Sequence, residues 1–294
     1  MKIIYILKKD VMKLVGTVAQ IIAITAYGNA ALKGFPIKDF LLENSTSTFC
    51  NSIKFTEFKK TGMIEKFLRK KEGHFENIIA SDFNSWVDFL KKEKVQKLYL
   101  HYISSNNKDI SDRMSAGFIG GGGRWLIEAF KGKHSDYWEA SWEVTDENNK
   151  DNKIWAVNYI RISNNDIVRK DLSIGIDNFD IKLKDSLIEC QNFAEKQNLD
   201  GFKNCFEKAI LCLNNDDTSL STIYHQDLVP KDFYDTLHRN ILFACQSAWV
   251  FGGMGSWNDI WFEKEDQEIY ENISNELFYA ICNSIARVTN EFKH

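Results

Sequence analysis

The chain has 294 residues, of which 44% are hydrophobic, 13% aromatic and 27% charged, a balance that folds and excludes a disordered polar chain. The formal net charge is -4, but it is unevenly spread: 22 basic against 13 acidic residues up to His134, and 15 against 28 beyond it. A mildly acidic chain without a recognition module argues against nucleic acid as a partner, and no stretch reaches the roughly 18 apolar residues that suggest a membrane span.

At the start, Met1 to Lys13 carries lysines and Leu14 to Ala26 is mostly apolar, the outline of a secretory signal. Thr17, Gln20 and Thr25 interrupt that run, and its Val and Ile content predicts a strand over 12–25, followed by a turn at Gly28-Asn29 and a short element ending at Gly34-Phe35-Pro36. A short helix is expected over 37–43 and a strand over 48–58. A basic stretch runs from Lys59 to Lys71. In DFNSWVDFLKK, Phe83, Trp86, Val87 and Leu90 fall at helical spacing behind Asp82, a good N-cap. The strand KLYLHYIS follows.

Between residues 122 and 163 the pattern has period two. In DYWEASWEV, Trp138, Ala140, Trp142 and Val144 share one face, while Tyr137, Glu139, Ser141 and Glu143 share the other. GRWLIEAFKG, DYWEASWEV and KIWAVNYIRI therefore predict an antiparallel meander, with the polar DENNKDN as its second turn. Beyond Ser163 the apolar residues recur at three and four. Four amphipathic helices are expected, around Phe179 to Ala194, Phe202 to Leu213, Phe233 to Ala248 and Ile269 to Val288. The expectation is an α+β chain: an antiparallel sheet in a β-rich region 12–163, with a four-helix region 177–294 packed on one face as a single domain over 1–294.

The six cysteines form no C-x-x-C pair, and five lie within helical patterns. They read as reduced core thiols in a cytoplasmic protein. Scattered histidines offer no metal spacing. His225 and His238 are the histidines that, with Asp227 and Asp259, could form an acid–base or metal set, and a surface or helix-satisfied role is the stronger reading. No catalytic residue, metal or cofactor is assigned.

Two glycine-rich strings stand out. Phe118-Ile119-Gly120-Gly121-Gly122-Gly123-Arg124-Trp125 lacks the Lys-Ser/Thr of a phosphate loop and enters a strand, where a permissive turn explains it. Arg113 and Arg124 beside it are candidate anion contacts. Val250-Phe251-Gly252-Gly253-Met254-Gly255-Ser256-Trp257-Asn258-Asp259 joins the third and fourth helices and is longer and more functionalised than a connection requires. Gly252 fits a helix C-cap, and Ser256 or Asn258 caps a following turn. Gly253, Gly255, Ser256, Trp257, Asn258 and Asp259 are the candidate binding residues there. The tryptophans on the meander suit either core packing or stacking of a base or sugar.

Ile24-Thr25-Ala26-Tyr27-Gly28-Asn29-Ala30, SDRMSAGFIGGGGRW from Ser111, and VFGGMGSWND resemble strings found together in bacterial proteins without an assigned activity. In type, the chain is similar to immunity proteins that neutralise a bacterial toxin. That resemblance implies a non-catalytic cytoplasmic inhibitor whose partner is a protein, with a basic toxin the type suited to the acidic second part. The alternative is a nucleotide- or sugar-binding protein, or an enzyme, with its site where the two glycine strings converge.

Overall fold

A computed structural model describes residues 14, 16–37, 43–58, 76–105, 109–167, 178–214 and 223–293. The helices are α1 (Gly16–Leu32), α2 (Phe83–Lys92), α3 (Phe179–Lys196), α4 (Asp200–Leu213), α5 (Thr236–Ser247) and α6 (Lys264–Thr289). The strands are β1 (Cys50–Phe58), β2 (Glu76–Ala80), β3 (Lys97–Ile103), β4 (Arg124–Phe130), β5 (His134–Val144) and β6 (Trp155–Ile167). They form one sheet in the order β2-β1-β6-β5-β4-β3, so the chain is α+β with its sheet in the first half and four helices in the second.

Three expectations need correction. The segment read as a strand over 12–25 is the helix α1 from Gly16 onward. Its side chains are buried on every face, so no polar stripe betrays a helical period, and its Val and Ile content imitates a strand. Gly28 and Asn29 are therefore not a turn. A Cβ on Gly28 would meet Leu98 Cδ1 at 2.5 Å, so a side chain there would have to displace the tip of Leu98 where α1 lies against β3. The sheet is also mixed: β1 pairs with β6 in parallel, from Cys50 opposite Trp155 to Glu57 opposite Arg161, while every other pair is antiparallel. Most of the expected helix over 37–43 and the basic stretch from Lys59 to Lys71 lie outside the described residues.

The meander β4-β5-β6 and the strands β1 and β3 form where the period-two pattern placed them. Helix α2 starts at Asp82, whose carboxylate accepts the Ser85 N–H at 2.8 Å. That bond is the leading reason its carboxyl is held below the usual range. On the helix-covered face of the sheet, Phe55 stacks on Trp86 at 4.3 Å and on Tyr159 at 5.4 Å, and Trp138 meets Trp86 edge-on at 5.7 Å. Helix α1 adds Gln20, which accepts from the Tyr159 hydroxyl at 3.1 Å and donates to Cys50 Sγ at 3.2 Å. Burial pushes the Cys50 thiol up to about 11, against the lowering effect of that Gln20 bond. The buried apolar side chains of both halves join in one cluster.

Strand β3 lies at one end of the sheet, and its outer backbone is closed by side chains. Asn29 of α1 donates to Leu98 O at 2.9 Å and accepts from Leu98 N at 2.8 Å. Asn290, just past α6, repeats this with Leu100 at 2.9 and 2.6 Å. Each carboxamide stands in for a neighbouring strand, with one donor and one acceptor. Replacing Asn29 with Ala strands both groups of Leu98, with an expected loss of about 2–4 kcal/mol in chemical denaturation. Asp82→Ala, which removes only an exposed cap, is expected to cost about 1 kcal/mol.

Candidate functional site

Two loops carry the candidate residues, and the fold brings them into backbone contact. The first runs from Asp109 through a helical turn at Asp112–Ser115 to Gly123; the second runs from Ala248 to Glu263. They cross at Gly117 and Gly252. A Cβ on Gly117 would lie 2.7 Å from Gly252 Cα, and one on Gly252 would lie 2.5 Å from Gly117 Cα. Both positions exclude any side chain. Gly252 also has φ +88°, a conformation that glycine adopts without strain. It is not the helix C-cap expected from sequence, because α5 ends at Ser247 and is capped by Ala248.

Arg113 locks the crossing. Its side chain is 1% exposed. Nη1 donates to Asn258 Oδ1 at 2.6 Å, Nε donates to Asn275 Oδ1 at 3.2 Å, and Nη2 pairs with Glu271 of α6. Asn258 returns a bond from Nδ2 to Arg113 O at 2.8 Å, and the guanidinium lies 5.5 Å from the centre of the Tyr270 ring. A buried cation with this many partners is a structural pin. Burial pushes the Tyr270 hydroxyl up to about 12, with the Arg113 charge opposing it.

The second loop is closed from within. The Asp259 carboxylate accepts from Gly255 N at 2.6 Å and Ser256 N at 3.1 Å, holding the turn Trp257–Asp259 that starts after Ser256. Trp257 is 0% exposed and packs against Phe202 at 5.1 Å, Phe206 at 5.2 Å and Tyr270 at 5.4 Å. Its indole N–H donates to Ser274 Oγ at 2.7 Å. Of the residues expected to contact a ligand, Trp257, Ser256 and Arg113 are buried within the protein. Their local polarity or size pointed to a surface, whereas the aromatic residues of α4 and α6 claim the indole.

Gly253, Gly255 and Asp259 are exposed, Asn258 is half-buried, and Arg124 sits apart on β4. There its guanidinium grips Glu139 through two bonds, at 2.8 and 2.7 Å, and is already neutralised. Sequence reasoning missed what the locked loops display. Phe118 is 76% exposed, Ile119 55% and Met254 fully so, with Met114 also exposed. Trp261, three residues beyond Asn258, is 72% exposed. The signal was present as large apolar residues beside glycines, but period patterns do not separate such residues from core.

The histidines resolve differently. Ser45, 180 residues away in sequence, reaches His225 Nδ1 at 2.7 Å and donates to the Asp227 carboxylate. The serine thus lies between the other two, and the histidine does not bridge hydroxyl and carboxylate as a nucleophile-activating base does. Asp227 O also accepts from Asn44 at 2.8 Å and Tyr27 at 3.1 Å, so the group ties α1 and the 45–47 turn to the segment before α5. His238 bonds its own N-cap, Asp235, at 2.7 Å. Among the described residues no group of three or more His, Cys, Asp or Glu is placed to hold a metal ion. No described helix is long and apolar enough to cross a membrane. Compared with protein-family models, curated proteins and solved structures, the chain matches none.

Two outcomes test this geometry. Gly117→Ala is expected to cost about 1–3 kcal/mol by overpacking, because the obstructing atoms are backbone. Asp112 is buried and accepts from Tyr102 at 2.8 Å and from Ser105 N at 3.0 Å. Burial alone would raise its carboxyl, yet the Ser105 and Tyr102 bonds hold it below the usual range. A depressed folded value means its stabilisation is present above the unfolded carboxyl range near ~4 and is lost as pH falls through the folded value. The stability difference between wild type and Asp112→Asn should therefore shrink on acidification below pH ~4.

Proposed function

We propose that the protein is a non-catalytic binding protein of the immunity type, a cytoplasmic inhibitor that covers a functional surface of a basic protein toxin. One observation carries this reading: Phe118, Ile119 and Met254 stand in solvent on loops pinned by the Arg113 lock and the Gly117–Gly252 crossing. Large exposed apolar side chains on a scaffold that cannot collapse over them mark interaction sites. Because the loops are already ordered, little conformational freedom is lost on docking. Aromatic and methionine anchors are the residue types enriched at such surfaces.

Charge supports the choice of partner. Asp259, Glu263, Glu265 and Glu268 crowd the sequence around exposed Trp261, with only Lys264 opposing them. An acidic border around apolar anchors steers and orients a basic protein. The small-ligand reading gains from the convergence of the loops but loses at their junction, where glycine backbone and the Arg113 side chain fill the space.

Affinity capture from the source organism, with wild type and the Met254→Asp and Phe118→Asp variants, tests the proposal. Wild type is expected to retain one basic protein stoichiometrically, that protein should arrest growth when expressed alone, and each variant should weaken capture at least ~30-fold, as for loss of about 2 kcal/mol. Unchanged capture by both variants, or no stoichiometric partner, refutes it.

A further inference from the structure

The sheet treats its edges unequally. β3 is closed along its outer side by Asn29 and Asn290. A second edge lies inside the sheet, where β4 leaves β5. Their pairing ends at Leu126 opposite Glu139, although β4 stays on β3 as far as Arg124 opposite Ile103. β5 continues without β4 for Ala140–Ser141–Trp142–Glu143–Val144, held on its other side by β6 as far as Val144 opposite Trp155. Among the described residues nothing pairs with this free side.

A wedge-shaped cavity of about 330 Å3 opens there, between Gly120, Gly121 and Gly123 of the first loop and Ala140, Ser141 and Trp142 of β5. Its lining alternates as a strand edge must. Trp125, Ala140 and Trp142 belong to the helix-covered face, while Arg124, Glu139 and Ser141 belong to the opposite one. An occupant touching both sets lies in the plane of the sheet.

Natural sheets protect exposed edges with lysine, proline, bulges or a covering element. The five residues include neither lysine nor proline, their single charge is Glu143 near the far end, and the bulges of β5 fall earlier, between Ser135 and Trp138. An unprotected ladder of N–H and C=O groups is complementary to one kind of chemistry, an extended peptide backbone. At ~3.4 Å per residue the open edge offers room for about five residues.

We infer that an extended segment of the protein partner adds as a strand to the open side of Ala140–Val144, with apolar side chains at alternate positions meeting Trp125 and Trp142. This deepens the proposed binding function and rests on it: Phe118 and Ile119 anchor the partner beside the wedge while the strand sets its register. Backbone pairing supplies the attraction, and the two indoles select which alternate residues fit.

The test uses linear heptapeptides selected from a random display library on the full-length protein. Selected peptides should carry apolar residues at every second position and slow amide hydrogen exchange across 140–144 at least tenfold. Adjacent strand residues point their N–H groups in opposite directions, so of Ala140→Pro and Ser141→Pro one breaks the β6 ladder and the other removes an edge donor, and both leave the two indoles in place. The variant that keeps the wild-type unfolding midpoint identifies the edge position, and it should bind the peptide at least tenfold more weakly, while Met254→Asp binds it normally. Selection of no peptide, protection elsewhere, or full binding by the edge variant overturns the inference. Loss of peptide binding in Met254→Asp alone would place the peptide on the loop anchors, sinking the strand-addition proposal and leaving the proposed function standing.

Discussion

Helix α1 is the element around which the other parts must arrange themselves, because thirteen of its seventeen residues are buried. A helix apolar on all sides finds no stable place on a surface and has to be enclosed. It packs against β3, β4 and β5 on one side and reaches α2, α6 and the 45–47 turn on others. The polar groups carried into this interior, Gln20, Thr25 and Asn29, each find a partner: Tyr159 and Cys50, the Ile21 carbonyl, and the Leu98 backbone. One enclosed helix thus touches both the sheet and α6, the C-terminal helix that also anchors Arg113 at the glycine loops.

What sequence alone could and could not reveal follows from the same physics. Half-buried strands and amphipathic helices announce their period, so β5, β6, α2 and the four C-terminal helices were readable from Trp138-x-Ala140-x-Trp142 or Phe83, Trp86 and Leu90. Full burial erases the period, and α1 passed for a strand. The parallel pairing of β1 with β6 leaves no local trace, since about a hundred residues separate the partners. At the site, the glycines were conspicuous, but the reason for Gly117 and Gly252 lies in each other. Trp257 looked like a surface anchor because its neighbours are glycine and polar residues, while the aromatic residues that bury it come from three other helices. Ser45 and His225 meet across 180 residues, beyond any motif.

The candidate surface separates two tasks that a binding loop often mixes. Arg113, Asn258, Trp257 and Asp259 use their polarity inward, to hold the loops, and are largely spent on that role. Phe118, Ile119 and Met254 take no part in the lock and face outward. Substitutions at the first group should act through stability and those at the second through recognition. The distinction arises from burial rather than residue chemistry, which is why arginine is structural here and methionine is exposed.

The pairing of Asn290 with Leu100 reaches across 190 positions of the chain. During synthesis the outer side of β3 is made early, yet one of its two closing carboxamides leaves the ribosome only after the whole of α6. Until then the nascent chain carries a partly bare strand next to α1. Translation speed and chaperone protection therefore bear on this protein most strongly in the interval between emergence of β3 and arrival of residue 290.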